Sequence, residues 1–165
     1  MLVYIWIILA VTVLDQLTKV WAMDLIAAAN HIPVLQIAEG NTLPIWEGVF
    51  HFTYLENSGM SFGLLADHRW VFMLLSSVGI LALFAYLVWL KGNGKLLCTA
   101  LALVIGGGIG NMFDRVLLGY VVDFIDVQCF SFWTWIFNLA DSAVCVGAAL
   151  MVLALLLEYR RERKK

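Results

Sequence analysis

Four apolar stretches, each close to the length needed to cross a lipid bilayer, constrain this chain more than any other feature. They run from about Leu2 to Ala27, Trp70 to Leu90, Leu96 to Phe113 (closed by Asp114 and Arg115) and Trp135 to Leu157. A helix needs about 20 residues to span the hydrocarbon. Lipid offers the backbone no hydrogen bonds, so each stretch is expected to satisfy its own as a helix. The 165 residues are 63% hydrophobic and only 13% charged, with a mean hydropathy of +0.92, outside the range of soluble domains. With 2 prolines and scattered glycines there is no linker, so residues 1–165 read as one membrane-embedded domain. The N-terminal stretch is read as a resident helix rather than a leader. It lacks a basic start and a small-residue cleavage site, and Asp15-Gln16 interrupts it.

Basic residues set the expected orientation. The linker Lys91-Gly92-Asn93-Gly94-Lys95 and the tail Arg160 to Lys165 hold seven of the 10 lysines and arginines. Four spans place both on one side, which the positive-inside rule makes cytoplasmic, together with both termini. The connections 28–69 and 115–134 then face outward. The first is too long to be a turn. Phe50 to Tyr54 alternates with period two, and Ile32 to Ile37 is its expected partner strand. Asn57-Ser58-Gly59 marks a turn, and Met60 to Leu65 is expected as a short interfacial half-helix. Trp46, Phe50, Phe52, Tyr54, Trp133 and Trp135 read as an aromatic belt at the outer interface. The expected fold class is therefore an all-α integral membrane protein of four transmembrane helices, with a small extracytoplasmic β element.

Against that background two acids stand out: Asp123 within Tyr120-Val121-Val122-Asp123-Phe124, and Asp141 within Phe137-Asn138-Leu139-Ala140-Asp141. An ionisable group at membrane depth costs about 2.5–3.5 kcal/mol on insertion scales, so it usually serves a function. Separated by one short connection, the two carboxylates are placed to meet, as an aspartyl hydrolase requires. Asn138 lies three residues before Asp141 on the same helical face, and Asn111 repeats that spacing before Asp114. Gly106, Gly107, Gly108 and Gly110 would let the third helix approach a neighbour closely. Asp15 and Lys19, four apart, read as a structural ion pair. Arg115 is placed to neutralise nearby acids or to meet lipid phosphate. Asp67 and Asp126 read as solvated loop residues.

Several chemistries find no residues to carry them. Cys98, Cys129 and Cys145 are too scattered for a disulfide framework and read as small buried hydrophobes. His31, His51 and His68 show no metal-ligand spacing, and no serine or cysteine has an evident base, so neither metal nor cofactor is expected. The net charge of -2, with the basic residues confined to a tail, leaves no nucleic-acid footprint. Two other classes stay open from the residues alone. A small proton-coupled transporter would use intramembrane Asp, Asn and Lys, but should repeat its first half in its second. A non-catalytic lipid-binding protein would account for the aromatics but not for the paired acids.

Five blocks occur in order along the chain: Asp15-Gln16-Leu17-Thr18-Lys19, Asn57 to Gly63, Gly110 to Arg115, Val122-Asp123-Phe124 and Phe137 to Asp141. In order and spacing they resemble the lipoprotein signal peptidases, signal peptidase II, over essentially the whole chain. The resemblance implies an intramembrane aspartyl endopeptidase of the bacterial cytoplasmic membrane. Such an enzyme removes the signal peptide from prolipoproteins, cutting just before a cysteine that already carries a diacylglyceryl group. It implies Asp123 and Asp141 as the catalytic dyad, Asn57, Asn111, Asp114, Arg115 and Asn138 as a supporting polar shell, and Asp15 and Lys19 as a first-helix block. It further implies inhibition by globomycin-like cyclic peptides. The expected partners are the lipidated preprotein and membrane lipid, and the chain is expected to act as a monomer.

Overall fold

The computed structural model describes residues 1–59, 69–128 and 135–163. Four helices dominate it: α1 (Leu2–Ala29), α2 (Arg69–Trp89), α3 (Lys95–Leu117) and α4 (Leu139–Glu162). By length and composition α1, α3 and α4 are each sufficient to cross a membrane, and α2 contributes the apolar run Met73–Trp89. Their outward faces are lined by exposed residues such as Leu17, Leu74, Leu81 and Val152. That arrangement suits a lipid solvent.

Helix α3 is central and packs against the other three. Its glycines explain the closeness. A Cβ at Gly107 would run into the backbone carbonyl of Ala140 on α4, and one at Gly106 would lie 2.9 Å from the Val11 Cβ on α1. At Gly110 the obstacle would be the Asp15 carboxylate, at 2.7 Å. Small residues at such crossings replace the hydrophobic drive that lipid removes with direct van der Waals contact. Thr12 adds a cross-helix bond, its hydroxyl donating to the Gly106 carbonyl at 3.0 Å. Tyr4, Ile8, Asp15, Lys19, Ala22 and Ile26 form the buried stripe of α1. At one end of the bundle Tyr4 and Ile8 meet Leu87, Leu97, Cys98 and Leu101 in an apolar core.

At the other end the chain builds a four-stranded antiparallel sheet, in the order β1 (Thr42–Trp46), β2 (Phe50–Asn57), β3 (Val121–Val127) and β4 (Ile136–Phe137). Gly48, at φ +70°, makes the β1–β2 turn. One face of the sheet sets Phe52, Tyr54, Val122 and Phe124 on Ala22 and Ile26 of α1. The rings of Phe50, Phe52, Phe124 and Trp21 meet edge to face.

Four sequence expectations are corrected here. Ile32–Ile37 is not the partner of β2. Pro33 starts a 3-10 turn over Val34–Gln36, leaving Leu35 98% exposed, and β2 instead pairs with Thr42–Trp46 and with the distant β3. Phe52 and Tyr54 are buried and Phe50 half-buried, so these three form the sheet's core, whereas Trp46 and Trp135 are exposed as a belt requires. Asp126 is not a loop residue but part of β3, where it accepts from the Thr53 hydroxyl at 2.8 Å. Cys145 is exposed, while Cys98 is buried as expected. Helix bounds also move. Asp114 and Arg115 lie inside the last turns of α3, and α4 begins at Leu139 because Ile136–Phe137 is strand. The expected half-helix Met60–Leu65, together with Asp67, His68, Cys129 and Trp133, lies outside the described residues.

Candidate active site

The polar residues singled out from the sequence converge where the helices end and the sheet begins. Asn138 is the hinge of the arrangement. It caps α4 through a reciprocal box: its side-chain oxygen accepts the Asp141 N–H at 2.9 Å, and the Asp141 carboxylate accepts the Asn138 N–H at 3.2 Å. Such a box satisfies amides that a helix start leaves orphaned. It also fixes where the Asp141 carboxylate points. The Asn138 amide nitrogen faces the other way and donates to Asp123 Oδ1 at 2.6 Å, to Asn111 Oδ1 at 3.0 Å and to the Val122 carbonyl at 3.3 Å. One residue therefore holds both acids.

Each carboxylate has a second amide donor. Asp123, on β3 and 1% exposed, accepts from Asn57 Nδ2 at 2.8 Å. Asn57 is held in turn by an Asx turn, its oxygen accepting the Gly59 N–H at 2.9 Å. Asp141, half-buried, accepts from Asn111 Nδ2 at 2.7 Å. Burial pushes the Asp123 carboxyl up to about 6, against the opposing hydrogen bond from Asn57. The Asp141 charge adds to the rise, while Asn138 and Lys19 oppose it.

Beneath the two acids lies a buried ionic cluster. The Lys19 ammonium is 2.7 Å from Asp15 Oδ2 and 2.7 Å from Asp114 Oδ2, and it donates to Asn111 Oδ1 at 3.2 Å. The expected Asp15–Lys19 pair is thus present, but it is one edge of a larger network. Asp15 also accepts the Ala140 N–H at 2.9 Å, pinning the start of α4, and Asp114 accepts the Val122 N–H at 3.1 Å, pinning β3 beside Asp123. Gln16, which sequence reasoning passed over, donates to Asp114 Oδ1 at 2.8 Å and to the Gly110 carbonyl at 3.2 Å. Its place between two expected site residues in one motif block was the available clue. Arg115 donates to the Asn111 carbonyl at 3.3 Å, and its charge faces Asp141, Asp123 and Asp114. Among the described residues every buried side-chain polar atom has a partner, as a low-dielectric setting demands. Among the same residues no group of three His, Cys, Asp or Glu side chains is disposed to hold a metal.

All nine expected site residues thus fall within one connected network, drawn from α1, β2, α3, β3 and the start of α4. Fold and cluster together define a membrane protein with paired carboxylates at the mouth of a helix bundle. The family model of signal peptidase (SPase) II matches residues 7–157, and the chain belongs to that family. It is 45% identical over 149 residues to a lipoprotein signal peptidase of Caulobacter vibrioides, covering 88% of this chain and 82% of that protein. The lipoprotein signal peptidase of Bacillus subtilis is 35% identical over 164 residues, with 99% of each chain covered. A solved bacterial membrane enzyme is 28% identical, with a TM-score of 0.73 over 99% of this chain and 93% of that one. Family membership makes the activity that of a peptidase acting on prolipoprotein signal peptides, and the transporter reading gains no support.

Proposed function

We propose that this member of the signal peptidase II family is an aspartyl endopeptidase whose dyad is Asp123 and Asp141. It cuts diacylglyceryl-modified prolipoproteins just before the lipidated cysteine. The observation that carries the reading is the sharing of Asn138 by both carboxylates at the rim of a buried network. Asp123, the more buried acid with its proton affinity raised, holds the resting proton. Asp141, half-buried, is the base. As water attacks the scissile carbonyl carbon, its proton passes to Asp141 and the Asp123 proton to the carbonyl oxygen. Collapse breaks the C–N bond, the Asp141 proton goes to the leaving nitrogen, and Asp123 recovers its own. Asn57, Asn111 and Asn138 hold the two acids in register. Asp15, Lys19, Asp114 and Arg115 support the shell and balance its charge.

All four helices cross the membrane in this reading. Both termini and the Lys91–Lys95 linker are cytoplasmic, because the basic residues collect there. The sheet and the dyad then sit at the outer leaflet, where a substrate held by two acyl chains presents its cleavage site. Burial of acyl CH₂ groups, roughly 0.8 kcal/mol each, supplies most of the localisation. The chain acts as a monomer without cofactor, and a globomycin-like cyclic peptide competes for the site. Mass spectrometry of a diacylglyceryl-modified preprotein incubated with purified protein tests the whole. Cleavage before the modified cysteine, much faster than for the unlipidated form, is expected. Equal rates for the two forms would remove the lipid-access argument, and no cleavage would remove the activity.

A further inference from the structure

The spacing of Lys19 predicts an ion pair with Asp15, and the ammonium also reaches past that acid to Asn111 on another helix. An ammonium has donors and no acceptor. The Asn111 atom that meets it must therefore be the oxygen, which leaves the Asn111 NH₂ group facing Asp141 at 2.7 Å. The same oxygen accepts from Asn138 Nδ2, whose own direction the Asp141 N–H fixes independently by donating to the Asn138 oxygen. Without the cation, Asn138 Nδ2 is the remaining described donor to that oxygen.

We propose that Lys19 is a positioning residue that holds the Asn111 oxygen, and so keeps the Asn111 N–H donor aimed at Asp141. The proposal rests on the dyad reading and deepens it. Lys19 and Asn138 converge on the Asn111 oxygen, which leaves the Asn111 NH₂ for Asp141, while the Asp141 N–H sets the Asn138 amide that faces Asp123. Asp15 and Asp114 serve to hold the ammonium, each at 2.7 Å. Lys19 itself touches neither acid of the dyad among the described hydrogen bonds and ion pairs. Its effect on the chemistry is transmitted through Asn111.

Among the described residues, Lys19 from α1 and Arg115 from α3 act on the charge of the dyad, Asp15 and Asp114 hold the Lys19 ammonium, and β2 offers the neutral Asn57. Removing the cation loosens the Asn111 amide and strips positive charge from beside the dyad. Purified, folded Lys19→Met should cleave the lipidated preprotein with kcat reduced at least ~10-fold, since small misplacements of reacting groups are that costly. KM should change little, and both limbs of the pH profile should move up by roughly one unit. Lys19→Arg, which keeps a donor-only cation, should restore the limbs. Because Lys19→Met strands two buried acids, Lys19→Met/Asp114→Asn, which preserves the cluster's net charge, is compared with Asp114→Asn alone and should show the same shift. Asn111→Asp keeps an oxygen for Lys19 but sets an acceptor against Asp141, and should lose activity likewise.

A folded Lys19 variant with the kcat and pH limbs of its reference would overturn the proposal. If no Lys19 variant folds, Asn111→Asp decides, and a wild-type rate there overturns it. Asp123→Asn measured alongside separates the two levels. If it is active, the dyad itself is wrong. If it is inactive while the Lys19 variants behave as their references, only the positioning role fails.

Discussion

The side-chain amide of Asn138 donates to the side-chain oxygen of Asn111 at 3.0 Å, and this bond ties the two carboxylates into one unit. Asn138 reaches Asp123 from one side of that bond, and Asn111 reaches Asp141 from the other. The acids come from a strand and a helix that are separated in sequence by residues 124–140. The amide pair, together with the β3–β4 ladder, keeps them in register.

The pH dependence of cleavage should report this arrangement. Asp123 stands at about 6, above its ordinary value of 3.8, so its protonated share falls as pH rises through that region. If it donates the proton, kcat/KM should decline on an alkaline limb near pH 6. Asn57 opposes the rise by donating to the ionised form. Asn57→Ala should therefore move that limb to higher pH. A limb that stays in place in Asn57→Ala would detach it from Asp123.

Asn138 has two duties that substitution can separate. Asn138→Ala removes both the helix cap, worth about 1 kcal/mol, and the donor to Asp123. Asn138→Ser keeps an oxygen for the Asp141 N–H but has no amide to reach Asp123. The serine variant should unfold near wild type in a thermal melt yet lose on the order of 100-fold in rate, as misplaced reacting groups do. A serine enzyme with full activity would reduce Asn138 to a cap.

How much of this was legible in the sequence varies with the physics of each part. The helices were legible because lipid forces long apolar runs to be helical, and the two acids because nothing apolar explains them. The sheet was only half legible. Phe50–Tyr54 announced a strand, but its second partner lies some seventy residues onward, and pairing across that distance leaves no local trace. The Ile32–Ile37 segment misled because alternation is weak evidence beside Pro33, which starts a 3-10 turn. Lys19 was underestimated for a different reason. Its i,i+4 partner already accounted for the charge, so the contacts to Asp114 and Asn111 could not be inferred from spacing.

The glycines of the helix bundle should differ in tolerance. Gly107→Ala pushes a methyl into the Ala140 backbone, and Gly147→Ala on α4 places one 2.8 Å from the Ala100 carbonyl. Each should destabilise by about 1–3 kcal/mol through overpacking. Among the described residues nothing lies within 4 Å of a carbon added at Gly79 on α2, so Gly79→Ala should be neutral or slightly stabilising. Thermal unfolding in detergent ranks the three, and equal midpoints would mean that the helix crossings are looser than the geometry says.

Orientation is testable at two exposed turns. Glu47, in the β1–β2 turn, belongs to the sheet end, and Asn93, in the α2–α3 linker, to the opposite end. With the three native cysteines replaced, a cysteine at Glu47 should react with an impermeant reagent outside intact cells, and one at Asn93 only after lysis. Labelling of both from outside would overturn the cytoplasmic assignment of the basic linker.

The strictest test concerns the acids themselves. Asp123→Asn and Asp141→Asn each replace one carboxylate oxygen with an NH₂ group, where both oxygens now accept N–H donors. Each variant should insert and purify, because the buried Lys19 cluster beneath is untouched. Each should lose nearly all cleavage, because neither remaining carboxylate can act as both acid and base. The double variant should be scarcely worse than either single, since groups that act as one unit are strongly non-additive. Binding of a globomycin-like peptide by the inactive singles would verify that the site is otherwise intact. Losses that multiply in the double variant would mean that the two acids work independently, and Asn138 would then join two residues that share a location but not a reaction.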